Sequence, residues 1–170
     1  MPTVVLILAT LTSGLVAGVY AFYAHTVMPG LGRSGDRTFV AAFQALDRAI
    51  VNPWFLGTGF LGAPVLTGVA ALLHLDEGAR VVLVWIVVAF LLDLVTVGIT
   101  VRVNVPANDR LKAAGNVDTI DVRAVRTEFD ERRWVRWNLV RVVLSVWGHS
   151  PLWLGLWCSW DGWDDMNACG

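Results

Sequence analysis

The chain has 170 residues, 56% hydrophobic and 16% charged, with a formal net charge of −1. A soluble domain carries about a quarter charged residues. The polar groups here are too few to cover an apolar core, and the near-neutral balance without a basic face excludes a nucleic-acid binder as a sensible expectation.

The charges are segregated. No Asp, Glu, Lys or Arg occurs over residues 1–32, 51–75 or 142–160, and residues 81–101 hold only Asp93. Each run approaches the ~20 residues that cross ~30 Å of hydrocarbon at ~1.5 Å per residue. The pattern predicts an all-α fold, an integral membrane four-helix bundle in one domain over residues 1–160. The spans fall at about 3–27, 52–74, 81–103 and 138–160, and residues 161–170 form an acidic tail.

The first run lacks a basic start, and its apolar stretch exceeds the ~7–15 residues of a signal h-region. It is expected to be a retained span. Gly14 and Gly18 form a small-xxx-small pair for close helix approach, and Met28-Pro29-Gly30 is expected to end the helix. Over residues 38–50, Phe39, Phe43, Leu46 and Ile50 share a helical face, with Arg37, Gln44, Asp47 and Arg48 elsewhere. This predicts a short amphipathic helix in the membrane interface before the second span. Asn52-Pro53 starts that span, and Pro64 inside it should free the Phe60 carbonyl and kink the helix.

Asp76-Glu77-Gly78 predicts a tight turn, and Pro106 is expected to end the third span. The last helix is predicted to be long, from about Thr119 to Trp160, with a charged half extending into the cytoplasm and an apolar half in the membrane. Of 13 Lys and Arg, all but Arg80 lie in the connections after spans one and three, counting Arg141 at the mouth of span four. The positive-inside rule places those connections in the cytoplasm and both termini outside, with the plasma membrane as the expected location. Cys158 and Cys169 are one pair near the C-terminus, with no zinc-ligand spacing; whether they join is open.

Polar residues within membrane helices are costly and therefore informative. In span three, Asp93, Thr96, Thr100 and Asn104 share one face, with Asn108 beyond the proline. In span four, Asn138, Arg141, Ser145 and His149 do the same. If Asn104 and Asn138 lie at one depth, Asp93 and His149 both sit ~16 Å further in, placed to form a buried pair. At the cytoplasmic mouth, His25, Asn52, Asn104, Asn108, Asn138 and Arg141 bring polar groups from all four spans to one level. Asn amides and an arginine bind a carbonyl or phenolate oxygen, and His25 can take a proton. Asn52, Asn104 and Asn108 are equally placed to cap helices and turns. Most tryptophans are expected at the interfaces, Trp54 and Trp134 on one side and Trp153, Trp157 and Trp160 on the other; Trp137 and Trp147 are the ones expected to line a pocket. No phosphate loop and no His-x-x-x-His pair occurs. A haem bridged by two of His25, His74 and His149 is hard to build at their different depths, so no cofactor is expected, with a bound metal or haem left as a minor alternative.

Val27-Met28-Pro29-Gly30-Leu31, Asn52-Pro53, Asn104-Val-Pro106-Ala-Asn108-Asp-Arg-Leu111 and Trp134-x-x-x-Asn138-x-x-Arg141 occur in that order. The ordered set resembles the anthrone oxygenase-like family of small four-span membrane proteins, over about residues 10–150. The resemblance implies an oxidoreductase that oxidises a small hydrophobic, phenolic substrate with dioxygen and no cofactor. His25, or His149 with Asp93, would then serve as base. Asn104, Asn108, Asn138 and Arg141 would stabilise enolate and phenolate oxygens, with Asn52, Trp137, Thr100 and Ser145 holding the substrate. The expected partners are the lipid bilayer, that substrate, and a second copy or another membrane protein. The alternatives are a carrier of a small solute or proton, relayed by Asp93 and His149, and an accessory subunit of a membrane complex.

Overall fold

The computed structural model describes residues 2–75 and 80–161, and every regular element among them is helical. In chain order these are α1 (Pro2–Phe22), α2 (Met28–Gly32), α3 (Asp36–Ile50), α4 (Gly62–Leu73), α5 (Arg80–Ile99), α6 (Val105–Ala113), α7 (Val122–Phe129) and α8 (Glu131–Asp161). The turn expected at Asp76–Gly78, the tail beyond residue 161 and the Cys158–Cys169 question lie outside the described residues.

Three helical segments, Pro2–Gly32, Phe55–Leu73 and Arg80–Ala113, are long and apolar enough to cross a membrane. Their outer faces expose Leu11, Val65, Leu72 and Leu91, a surface suited to hydrocarbon rather than water. α1 packs on α4 and α8, and α5 packs on the same two helices. The inward face of α8 is Trp134, Asn138, Arg141, Ser145, Gly148 and Leu152, and that of α5 runs through Val82, Ile86, Ala89 and Thr96. Alternating steps of three and four keep such a stripe on one side of a helix. At the N-terminal end of α1, Leu6 closes a small core with Ala70, Val82, Ile86, Ala89 and Leu152.

The prolines do not end the helices. π-helical turns stand before them, at Tyr23–Val27 before Pro29, Phe55–Phe60 before Pro64 and Thr100–Asn104 before Pro106. A proline in a helix leaves the carbonyl four residues back without its donor and crowds it. A turn of i→i−5 bonds opens the helix there. The amides of Met28, Leu61 and Val105 bond the carbonyls of Tyr23, Leu56 and Thr100. The expected stops at Met28–Gly30 and Pro106 are therefore corrected to widened turns within continuous segments, an adjustment characteristic of membrane helices. Gly62 serves the second of these turns: a Cβ there would lie 2.9 Å from the Gly57 carbonyl oxygen.

The charged end of the molecule is a folded cap. Met28, Phe39, Val40, Phe43, Ala107, Leu111, Phe129 and Trp134 make its core. The Phe43 and Phe129 rings meet edge to face with centroids 4.7 Å apart. α3 is thus an amphipathic helix, but its Phe39–Phe43 face is buried against protein rather than laid on lipid, and Gln44 and Asp47 beside it are buried too. The long last helix predicted from Thr119 is broken. Asp121 caps α7 by accepting from the Arg123 and Ala124 amides, and Asp130 takes left-handed backbone (φ 50°) before α8 begins. Arg126 clasps the cap. It donates to the carbonyls of Ser34 and Gly32, pairs with Asp36 and Glu131 at 3.0 Å each, and lies 4.3 Å from the Phe39 ring centroid.

Candidate functional site

Where the helices meet the cap, a cavity of about 130 Å³ is lined by Tyr20 of α1, Asp47 of α3, Phe55 and Phe60 of the second segment, Thr100 and Asn108 of the third, and Trp134, Asn138 and Arg141 of α8. Ile50, Val51 and Leu56 also line it. Of the lining residues, Val51, at the junction of α3 with the second segment, and Val105 are exposed.

Arg141 dominates the chamber. It is 4% exposed. Its Nη1 donates to Thr100 Oγ1 at 3.2 Å and its Nη2 to Asn138 Oδ1 at 2.8 Å, while Nε has no partner. Tyr20 lies under the guanidinium at 4.3 Å and Trp134 stands 5.6 Å away. Asn138, wholly buried, donates in turn to the Tyr20 carbonyl at 3.1 Å, tying α8 to α1. Arg141 has no carboxylate partner among the described residues. A buried cation held only by neutral dipoles and aromatic faces keeps much of its desolvation cost. Such a group favours an incoming anionic oxygen.

The lining also carries an acid, Asp47. Asp47 Oδ1 accepts from Asn108 Nδ2 at 2.6 Å, and Asn108 Oδ1 accepts from Trp134 Nε1 at 2.8 Å. Lys112 Nζ lies 2.7 Å from Asp47 Oδ2. The network fixes the Asn108 amide and orients the carboxylate from two sides.

Of the residues expected at a site, Asn108, Asn138, Arg141 and Thr100 meet in this chamber. The others lie elsewhere. His25 is exposed and bonds Thr26 Oγ1 at 2.6 Å. Asn52 is a cap, accepting from the Phe55 amide at 2.9 Å and donating to the Ala49 carbonyl. Asn104 is buried outside the lining, both amide atoms unpartnered. Trp137 is 37% exposed and turned from the cavity, while Trp134, expected at the interface, is buried and forms a wall. Trp147 is exposed.

The proposed pairing of Asp93 with His149 does not form. Asp93 Oδ2 accepts from Thr67 Oγ1 at 3.2 Å, and His149 Nε2 accepts from Trp153 Nε1 at 2.7 Å. Gly14 makes room for that imidazole, since a Cβ there would lie 3.0 Å from His149 Cε1; a Cβ on Gly18 would meet nothing. Ser145 and Asp93 line a second, smaller cavity.

Tyr20, Asp47 and Trp134 were not singled out from the sequence as site residues. A signal existed for two of them: Tyr20 continues the face of Thr10 and Ser13, and Trp134 precedes Asn138 and Arg141 by four and seven residues. Asp47 carried none, because its helix looked half-solvated.

The anthrone oxygenase family model matches residues 52–150. No curated protein and no solved structure matches the chain. The matched stretch contains Thr100, Asn108, Trp134, Asn138 and Arg141, whereas Tyr20 and Asp47 come from outside it. Matched over more than half its length, the chain belongs to the anthrone oxygenase family.

Proposed function

We propose that this protein is a membrane-embedded oxidoreductase that uses dioxygen to convert an activated methylene of a small, flat phenolic substrate to a carbonyl. The observation that carries the reading is Arg141: a buried guanidinium, without a carboxylate partner among the described residues, at a chamber walled mainly by aromatic and aliphatic side chains, with Asp47, Thr100, Asn108 and Asn138 as its other polar groups. Fixed donors of this kind stabilise an oxyanion where it develops. Arg141 and Asn108 hold the phenolate and enolate oxygens, and Tyr20 and Trp134 face the rings.

Asp47, in the chamber lining, takes a proton from the methylene carbon. The carbanion gives an electron pair to dioxygen and forms a C–O bond. The Asp47 carboxyl returns that proton to the peroxide, the Asp47 carboxylate takes the second C–H proton, and the O–O bond breaks as the distal oxygen gains one more proton. The carbon leaves as a ketone and the distal oxygen as water, so one dioxygen oxidises one methylene by four electrons. Substrate arrives from the lipid through the opening beside Val51.

In this reading α8 forms a fourth span over about residues 138–160, closing a four-helix bundle in the plasma membrane. The cap faces the cytoplasm, where the basic residues concentrate, and both termini face outward. The test is turnover of 1,8-dihydroxyanthrone by the purified protein. Arg141→Ala and Asn138→Ala are each expected to lower kcat about 100-fold or more while the protein stays helical and monodisperse. Full activity in both places the chemistry elsewhere.

A further inference from the structure

Behind Tyr20 lies a second cavity of about 10 Å³, lined by Ser13, Tyr20, Phe60, Asp93, Thr96 and Ser145. Tyr20 and Phe60 are walls of both cavities. Among apolar neighbours the small one carries polar groups from α1, α5 and α8; Ser13 Oγ is buried without a hydrogen bond among the described residues, and the Tyr20 hydroxyl, with no hydrogen bond of normal geometry there, has the Thr100 and Arg141 side chains as its hydrogen-bonding neighbours on the chamber side. Asp93 bonds Thr67 through Oδ2. Thr96 Oγ1 is turned to the Leu92 carbonyl. A cavity of about this size holds one water when it offers two to four polar partners, and here Ser13, Tyr20 and Asp93 supply them.

We propose that a single water occupies this cavity and passes protons between the Tyr20 hydroxyl and the Asp93 carboxyl, making Asp93 the proton store of the catalytic chamber. The proposal rests on the oxygenase reading for its use. The Tyr20 O–H gives its proton to the distal peroxide oxygen as the O–O bond breaks. The water reprotonates the phenolate, and the Asp93 carboxyl reprotonates the water. Asp47 passes the first C–H proton to the peroxide and keeps the second, which returns between turnovers to Asp93 through Tyr20 and the water in reverse, so the two protons lost by carbon equal the two gained by the distal oxygen. Tyr20 is the catalytic member; Asp93 acts through it and is a positioning residue.

The experiment uses the full-length protein in lipid nanodiscs. The infrared stretch of the Asp93 side chain is assigned by its loss in Asp93→Asn. Tyr20→Phe, which removes one partner of the water, is expected to shift that band; an unshifted band overturns the link. In turnover of 1,8-dihydroxyanthrone, Tyr20→Phe and Asp93→Asn are each expected to lower kcat about 100-fold, with KM unchanged for Asp93→Asn because it lies behind the chamber wall. If Arg141→Ala is inactive but both relay variants run at the wild-type rate, the relay is wrong and the chamber reading stands. If Arg141→Ala is fully active, the chamber reading fails, and the infrared shift alone decides whether water joins Tyr20 to Asp93.

Discussion

At the scale of single residues, the proposed site rests on one buried cation and one acid that line the same cavity. Arg141 is held by Thr100, Asn138 and two aromatic rings, so its charge is positioned before any substrate arrives. Asp47 is held by Asn108 and Lys112. Asp47→Asn preserves size and the contact with Asn108 but removes the proposed base. It is expected to slow turnover about 100-fold with little change in thermal stability, checked by steady-state kinetics beside a melting curve. Loss of fold with unchanged specific activity would assign Asp47 to the cap alone. Gly14 offers a structural contrast. Gly14→Ala places a methyl against His149 and is expected to cost about 1 kcal/mol or more by overpacking, read as a lowered melting temperature, with kcat unchanged.

The elements explain what could be read in advance and what could not. The polar stripes of the third and fourth long segments were legible, because steps of three and four put Thr100 on one face and Asn138 with Arg141 on another. The proline stops were not. The rule that proline ends a helix comes from the lost i→i−4 bond, yet a widened turn restores the ladder one residue later. These turns stand beside the chamber: one carries Thr100 and another Phe55 and Phe60. Pro106→Ala restores an ordinary bonding step and should narrow the Thr100–Asn104 turn. Kinetics are expected to show lower kcat with equal or higher melting temperature; unchanged kcat would mean the wide turn does not place Thr100. Asp47 and Gln44 were illegible for a different reason. A helix with one apolar face predicts lipid on that side and water on the other, whereas the buried arc of α3 runs from Phe39 and Phe43 round to Gln44 and Asp47, and Leu46 is exposed. Gln44 Nε2 donates to the Leu111 carbonyl at 2.9 Å on the side expected to be wet.

For the whole molecule, a membrane core and a folded cap share the chamber. Arg126 binds α3, α7 and the start of α8 together, and the pull of Glu131 and Asp36 outweighs burial in keeping its charge. Arg126→Ala is expected to destabilise the cap by about 2 kcal/mol, seen as faster amide exchange over residues 36–50 and 122–129. Exchange confined to its wild-type rate there would show the clasp to be dispensable. The proposed topology is open to the same scale of test. A lone cysteine replacing Arg132 is expected to react with an impermeant maleimide only after the cells are opened, and one replacing Arg80 in intact cells; the reverse pattern would invert the molecule.

The most direct measurement is oxidation of 1,8-dihydroxyanthrone by the purified protein under isotopically labelled dioxygen. One labelled atom is expected in the new ketone for each dioxygen consumed, the other in water, and the reaction should fall to background in Arg141→Ala. A ketone oxygen drawn from water, or labelled product formed as fast without Arg141, would contradict the account.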